Sequence, residues 1–534
     1  MSRIQLLDCT LRDGGYVNDW KFGHDNLISI LERTVTSGTD IIEIGFLDDR
    51  RPFDMDRSIM PDTDSVRKIY GDVSPEHAMI VGMIDYGTCA IEHLTPCLES
   101  YLDGIRVIFK KHIMHEAIDF CKQVKALGYK VFTQAVSITS YSDKEFLQLI
   151  DLVNELEPFA LSVVDTYGLL HQNHLMHYIE LMDYNLKPTI SMGYHSHNNF
   201  QLGYSNCIEF MNYKTDRKIV VDGTLYGMGK SAGNTPIELL AMYLNNNFSQ
   251  KYDVSQMLEA IDSNIMNIYS QHPWGYNMFY YIAASNDCHP NYVQYLMDKH
   301  TLSVKSINEI LQKLEGEKKL LYDKQYIEHL YDQYQKQALD DSQAIQSLSE
   351  VLRDRKVLVL GPGKKLIEQK EKIHKFIQDN DPVVISINFA PSDISVDYLF
   401  LSNSKRYVQL STQLSVNHEA LPVIATSNVT STKGEFSFSL DYSSLLDTGA
   451  EIPDNSFVMF MKAMIRINVP HIFAAGFDGY SLTSGHNYFK PSMEYPFNKS
   501  SAENVNNQVK QNLKKMQDKL TVDFITDSLY ISEE

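Results

Sequence analysis

From the start of the chain to about residue 247, short apolar runs alternate with longer amphipathic ones, and no other feature constrains the fold as strongly. The apolar runs are Ile4 to Cys9, Asp40 to Phe46, Met79 to Ile84, Gly104 to Phe109, Lys130 to Val136, Ala160 to Asp165, Thr189 to His195 and Lys218 to Thr224. Helix-like stretches such as Asn26 to Thr36 and Glu145 to Leu156 fall between them. Eight strands separated by helices over about 250 residues predict a (β/α)8 barrel. Periodicity does not by itself show closure, so an open doubly wound sheet stays as the alternative.

A barrel makes a statement about chemistry, because its active-site face lies at the C-terminal ends of the strands. Polar residues gather there. Asp13 follows the first strand, Glu43 lies in the second and Gln134 in the fifth; Asp165 and Thr166 follow the sixth, and His195 and His197 the seventh.

In the run from Leu6 to Tyr16, an apolar strand ends in Arg12-Asp13 and then Gly14-Gly15, which permit a sharp turn or a close approach to ligand. Alone, this reads as a surface ion pair. His195-Ser196-His197 changes the weighing, since period-two geometry turns both imidazoles to one side and suits two ligands of one metal. The plain alternative is a hydrogen-bonded surface pair. Asp13 adds a carboxylate, and Asn234, after the loop Gly227-Met228-Gly229-Lys230-Ser231-Ala232-Gly233, adds an amide oxygen. One carboxylate, two imidazoles and an amide suit Mn²⁺ or Mg²⁺ with positions open for substrate. Zinc stays in play, although no thiolate is offered.

These three segments, in this order, resemble the metal-dependent lyase-aldolase superfamily of TIM barrels. That superfamily includes 4-hydroxy-2-oxovalerate aldolase, hydroxymethylglutaryl-CoA lyase and isopropylmalate synthase. The resemblance covers the first half of the chain. It implies metal ligation by Asp13, His195 and His197, with Asn234 completing the shell, and binding of a 2-oxo acid through its carboxylate and carbonyl. Arg12 would then stabilise the developing enolate. Gly14, Gln134 and Thr166 are expected to border the substrate. The leading expectation is an aldolase that cleaves or forms a 4-hydroxy-2-oxo acid, with a 2-oxo acid and an aldehyde as partners.

Two departures matter. The aldolases place a histidine four residues after the motif arginine, where this chain has Tyr16, a side chain that titrates near ~10 when unperturbed. Tyr16 is therefore a catalytic candidate whose use as a base would need help; His24, His289 and Tyr292 are its substitutes. The glycine-rich loop also lacks the cysteine of some lyases and is closer in form to the isopropylmalate synthases. An acyl-CoA-dependent Claisen synthase is accordingly the second reading, and a binding protein on a degenerate barrel the third.

Residues 251–345 lose the strand rhythm and read as a helical extension, with a helical section from Asn264 to Tyr281 and further helices from Tyr292 to Lys299 and Ser306 to Leu314. A polar connector, Glu317 to Ile345, follows. From residue 346 a second α/β region of Rossmann-like type begins, with strands at Lys356 to Leu360, Val383 to Asn388, Tyr398 to Ser402, Pro422 to Ala425 and His471 to Ala475. It weakly resembles α/β domains of pterin-diphosphokinase-like and glycan-associated proteins, which would imply a glycan-precursor setting. Gly361, Gly363 and Asp478 are the candidates for a nucleotide or nucleotide-sugar site there. Asn388 stands where an acidic ribose ligand would be expected. No cysteine follows Cys288, so this region cannot be a thiolate-dependent aldehyde dehydrogenase.

The formal charge of -20 disfavours nucleic acid and anionic membrane as partners. No run is long enough to span a bilayer, no signal peptide is evident, and the six scattered cysteines fit reduced thiols. The expected location is cytoplasmic; a homo-oligomer is left open.

Overall fold

The computed structural model describes residues 3–531 apart from 250, 300–301, 303, 320–321, 336–338, 417–420, 430–435, 448–449, 451, 482–486 and 495–498. The chain divides into two compact units, Met1–Pro290 and Asn291–Glu534. The stretch 251–345, expected to stand apart, is shared between them. Residues 320–321 and 336–338 of its polar part lie outside those described.

The first unit is built on β1 (Ile4–Asp8), β2 (Ile41–Leu47), β3 (Ile59–Met60), β4 (Met79–Asp85), β5 (Gly104–Phe109), β6 (Lys130–Ala135), β7 (Ala160–Asp165), β8 (Ser191–Ser196) and β9 (Ile219–Gly223). Parallel pairing runs in the order β1-β9-β8-β7-β6-β5-β4-β2, and β1 pairs with β2 to close the barrel. The open-sheet alternative falls on that closing pair. All eight expected runs are strands; β3 is an extra two-residue strand on the end of β2.

Alternation along the strands decides what faces inward. Leu7, Ile41, Val81, Phe132, Ala160 and Val220 form an apolar layer inside the barrel. Two residues further on, and so on the same face, stand Cys9, Glu43, Gln134, Ser162 and Asp222, all buried. The intervening residues, such as Leu6, Ile42, Val131 and Leu161, pack outward against the helices. An apolar floor thus carries a polar layer directly beneath the C-terminal face.

The helical section expected from Asn264 to Tyr281 is broken. Its helices are Met266–Gln271 and Met278–Ser285, with His272-Pro273-Trp274-Gly275 between them. Proline removes a helical donor and glycine tolerates the φ of 124° seen at Gly275, so the segment turns there.

The second unit carries β10 (Val357–Leu360), β11 (Val383–Ile387), β12 (Tyr398–Leu401), β13 (Val423–Thr426), β14 (Phe438–Leu440), β15 (His471–Ala475) and β16 (Thr521–Phe524). All pair in parallel in the order β14-β13-β12-β11-β10-β15-β16. Successive strands add to one side of β10 and then to the other, which makes this a doubly wound sheet with its switch point between β10 and β15. Among the described residues, no helix is long and apolar enough to cross a membrane.

Candidate metal centre

After β1 the chain makes one helical turn, Thr10–Asp13, and that turn aims Arg12 and Asp13 into the barrel mouth. Asp8 fixes the turn by accepting the Thr10 backbone N–H at 3.1 Å and its hydroxyl at 2.7 Å. The Thr10 hydroxyl also accepts the Leu225 N–H at 2.8 Å, tying the turn to the loop after β9. Trp20 Nε1 donates to the Arg12 carbonyl at 2.8 Å. Gly15 lies so close to that indole that a Cβ would fall 2.0 Å from it, which explains glycine at this position.

Asp13, His195 and His197 converge, with ligand atoms all within 4.8 Å of one another. His195 Nε2 is 3.6 Å from Asp13 Oδ2, and His197 Nε2 is 3.6 Å from Asp13 Oδ1. Each ring is fixed from behind. His195 Nδ1 donates to Asp222 Oδ2 at 3.0 Å, and His197 Nδ1 donates to the Asp165 carbonyl at 3.0 Å. With Nδ1 carrying the proton, each Nε2 presents a lone pair to the same space. Both Nε2 atoms, and Asn234 Oδ1, are buried without a hydrogen-bond partner. Asn234 Nδ2 donates to Asp13 Oδ1 at 2.8 Å and to the Met228 carbonyl at 3.1 Å, and the Lys230 N–H also reaches Asp13 Oδ1, at 3.2 Å.

Two bare imidazole nitrogens facing one buried carboxylate are costly unless a cation joins them, so the residues present fit a divalent ion, with the Asn234 amide oxygen also unpartnered nearby. The electrostatics favour ligation at Asp13 and His197 and oppose it at His195. Burial opposes the Asp13 charge, but Arg12 and the two imidazoles outweigh it and hold the carboxyl well below the usual range. Burial also pushes His197 down, toward the neutral form a metal requires. At His195 burial is outweighed by Asp13 and Asp222, and the ring is pushed up. Cys9 Sγ lies 3.9 Å from His195 Nδ1, and burial pushes its thiol well up; with His195 and Asp222 it forms a second group of close-set ligand atoms.

The ligand set belongs to a closed circuit of buried charges. Arg12 Nε meets Glu43 Oε2 at 2.7 Å, and Arg106 meets the same oxygen at 3.0 Å. Arg106 then pairs with Asp222, Asp222 with His195, and Arg12 with Asp13. Every member is at most 5% exposed. Arg106 and Asp222 were not singled out in the sequence. The signal was available: each is a charge inside an otherwise apolar strand, and Asp222 sits two residues after Val220 on the inward face.

The remaining candidates divide. Tyr16 stands at the mouth, 41% exposed, with its ring edge-on to Trp20 and Phe46. The surrounding protein and Asp13 push its phenol up, toward the protonated form. Gln134 is buried in the barrel interior, where its amide donates to Ser162 Oγ at 3.0 Å and accepts from Arg106 at 3.1 Å. Thr166 Oγ1 accepts the Ser137 N–H at 2.7 Å. Gly14 makes room for Met228, whose sulfur would lie 3.0 Å from a Cβ there. His289 is pushed down to about 4 by burial and by Lys230. Tyr292 belongs to the second unit, where its hydroxyl donates to the Lys318 carbonyl at 2.7 Å.

In the second unit, a cavity of about 470 Å³ at the switch point is lined by Gly363, Asn388, Asn403, Arg406, Phe477 and Asp478, among others. The phosphate-cradle expectation for Gly361 and Gly363 is corrected by their hydrogen bonds. Gly361 N–H donates to the Ala475 carbonyl and Gly363 N–H to the Gly476 carbonyl, both at 2.8 Å. A Cβ at Gly363 would fall 2.4 Å from Asp478 Oδ1, so this glycine turn packs two loops together. Asp478 itself accepts the Lys365 N–H at 2.8 Å, and burial pushes it up to about 6.

Residues 3–263 match the family model described as HMGL-like. An oxaloacetate decarboxylase of Mycobacterium tuberculosis is 24% identical over 275 residues, covering 50% of this chain and 80% of the relative. A 4-hydroxy-2-oxovalerate aldolase of Shewanella woodyi is 22% identical over 275 residues, 50% of this chain and 79% of the relative. Among solved structures, hydroxymethylglutaryl-CoA lyase from Pseudomonas aeruginosa aligns with a TM-score of 0.41 and 13% identity, over 50% of this chain and 92% of that one.

Proposed function

We propose, for a chain whose residues 3–263 are an HMGL-like domain of the carbon–carbon lyase and aldolase superfamily, a divalent-metal-dependent aldolase acting on a 4-hydroxy-2-oxo acid. The observation that carries this reading is the set of bare acceptors around Asp13: His195 Nε2, His197 Nε2 and Asn234 Oδ1. Asp13, His195, His197 and Asn234 would hold the ion, two oxygens and two imidazole nitrogens with no thiolate among them, a set that suits Mn²⁺ or Mg²⁺. Bound there, the ion would supply Lewis-acid polarisation of a 2-oxo carbonyl.

The protein's own groups have separable tasks. Asp222 and the Asp165 carbonyl keep the two imidazoles in the tautomer that leaves Nε2 free. Glu43 anchors Arg12 through Nε, so its guanidinium stays at Asp13 and can take up negative charge as the carbon–carbon bond breaks. Tyr16, protonated, can donate a hydrogen bond to an oxygen at the mouth. The apolar floor under the polar layer keeps the site's interactions in a low dielectric.

The test is exchange of pyruvate methyl protons for deuterium, followed by NMR with Mn²⁺ or Mg²⁺ added. Exchange should depend on metal and vanish in Asp13→Asn and His195→Ala. Exchange that persists in both variants, or none with any divalent ion, overturns the reading. The loop Gly227–Asn234 favours one alternative, the acyl-CoA-dependent synthase, which would release free thiol from acetyl-CoA when a 2-oxo acid is supplied.

A further inference from the structure

Lys230 is the one residue of the glycine-rich loop with a charged side chain, and its backbone is pinned to the metal-ligand set: its N–H donates to Asp13 Oδ1 at 3.2 Å and its carbonyl accepts the Gly233 N–H at 3.0 Å. The side chain extends over the mouth, where the ammonium lies 5.4 Å from the centre of the Tyr16 ring. It feels the charges of Asp13, Arg12, Asp85 and Lys110, from the ends of β1, β4 and β5. No carboxylate among the described residues comes within the 4.0 Å of an ion pair with it, in contrast to Arg12 and Arg106 on the floor of the same mouth. The side chain is half-buried. The ammonium is therefore partly desolvated and has only the weak attraction of an aromatic face in return.

The charges of the mouth point the same way. Arg12, Arg106, Lys110 and Lys230 stand among the carboxylates Asp13, Glu43, Asp85, Asp165 and Asp222, and of these cations Arg12 and Arg106 are already paired, which leaves Lys230 over the mouth as a cation available to an anionic group of a bound molecule.

We propose that Lys230 receives an anionic group on the aldehyde half of the substrate, so that the 4-hydroxy-2-oxo acid carries a carboxylate or phosphate beyond C4. The proposal rests on the aldolase reading for the identity of the aldehyde, but the anion contact can be tested by itself. Lys230 is a specificity-determining residue in this scheme: it holds the far end of the substrate while Asp13, His195, His197 and Arg12 attend to the 2-oxo end.

Calorimetry on the full-length protein with Mn²⁺, comparing 2-oxoglutarate with 2-oxovalerate, isolates the contact, because the two differ by a distal carboxylate and neither has a 4-hydroxyl to cleave. The wild type should prefer 2-oxoglutarate by tenfold or more. Lys230→Met should reduce that preference to about onefold, and Lys230→Arg should keep most of it. No preference in the wild type, or one that survives in Lys230→Met, overturns the proposal. Should the distal preference hold and pyruvate exchange fail, the anion contact stands and the aldolase reading falls; the converse result leaves the aldolase and removes Lys230. In condensation assays with pyruvate, glyceraldehyde 3-phosphate, succinic semialdehyde and propionaldehyde then tell phosphate from carboxylate, the charged aldehyde losing at least tenfold in kcat/KM in Lys230→Met. An equal loss for propionaldehyde counts against the proposal.

Discussion

Asp222 touches no part of the open face, yet it decides which nitrogen of His195 is free, because Nδ1 donates to it and Nε2 is left to the space beside Asp13. Asp222→Asn should therefore keep the barrel and weaken Mn²⁺ binding by 10- to 100-fold in calorimetry, the range usual for a lost carboxylate behind a ligating histidine. Arg106 would be left in the same variant with Glu43 as its remaining carboxylate. Asp8 supplies a second residue-level prediction. Burial pushes it from 3.8 up to about 7 against the hydrogen bonds from Thr10. A carboxyl raised on folding holds its proton more tightly in the native state, so its stabilisation is complete below about 4 and is lost as pH rises through about 7. Urea unfolding of wild type and Asp8→Asn should show the wild type losing ground to the variant across that window, by on the order of 2–4 kcal/mol.

At the scale of elements, the site is held by connections between strands more than by any one strand. The turn after β1 is fastened to the loop after β9 through Thr10 and Leu225, and to the segment after β2 through Ser58 Oγ, which donates to the Leu11 carbonyl at 2.6 Å. Gly15→Ala would press a methyl into Trp20 and disturb the indole that holds the Arg12 carbonyl. It should cost about 1–3 kcal/mol in thermal or denaturant unfolding and lower metal affinity with it. The helix Asp143–Leu156 gives the contrasting case. Ser142 and Glu145 form a capping box at its start, so Ser142→Ala should cost about 1 kcal/mol and leave metal affinity unchanged. The strands of the barrel could be read from the sequence because each is a short apolar run between amphipathic helices. The strands β14 and β16 could not: both are edge strands of three or four residues, and β16 alternates half-buried Val522 and Phe524 with exposed Thr521 and Asp523. The helix break at Pro273 and Gly275 is written in the residues themselves, a proline and a glycine inside an aromatic-rich stretch.

For the molecule as a whole, two compact units with separate cores predict two separable responses to ligand. In scanning calorimetry of the full chain, Mn²⁺ at about 100 times its Kd should stabilise the barrel transition by about 2.7 kcal/mol and leave the other transition in place. Both transitions moving equally would mean that the units unfold as one. The sequence by itself determined the eight strands and the identity of the metal-ligand candidates, because strand period and residue chemistry can be read along the chain, whereas closure of the barrel rests on the β1–β2 pair. Asp13, His195, His197 and Asn234, spread over more than two hundred residues, are brought together by the closing pair β1–β2 and its neighbours β8 and β9. Only the tertiary structure decided the tasks of the residues around them. It committed Gln134 to the barrel interior, spent the amides of Gly361 and Gly363 on backbone carbonyls, set Tyr16 against Trp20 and Phe46 at the mouth, and placed Arg106 and Asp222 behind the ligands. Those outcomes depend on which partner reaches each polar group once the strands are in register, and a hydrogen bond made across the barrel leaves no mark in the spacing of the chain.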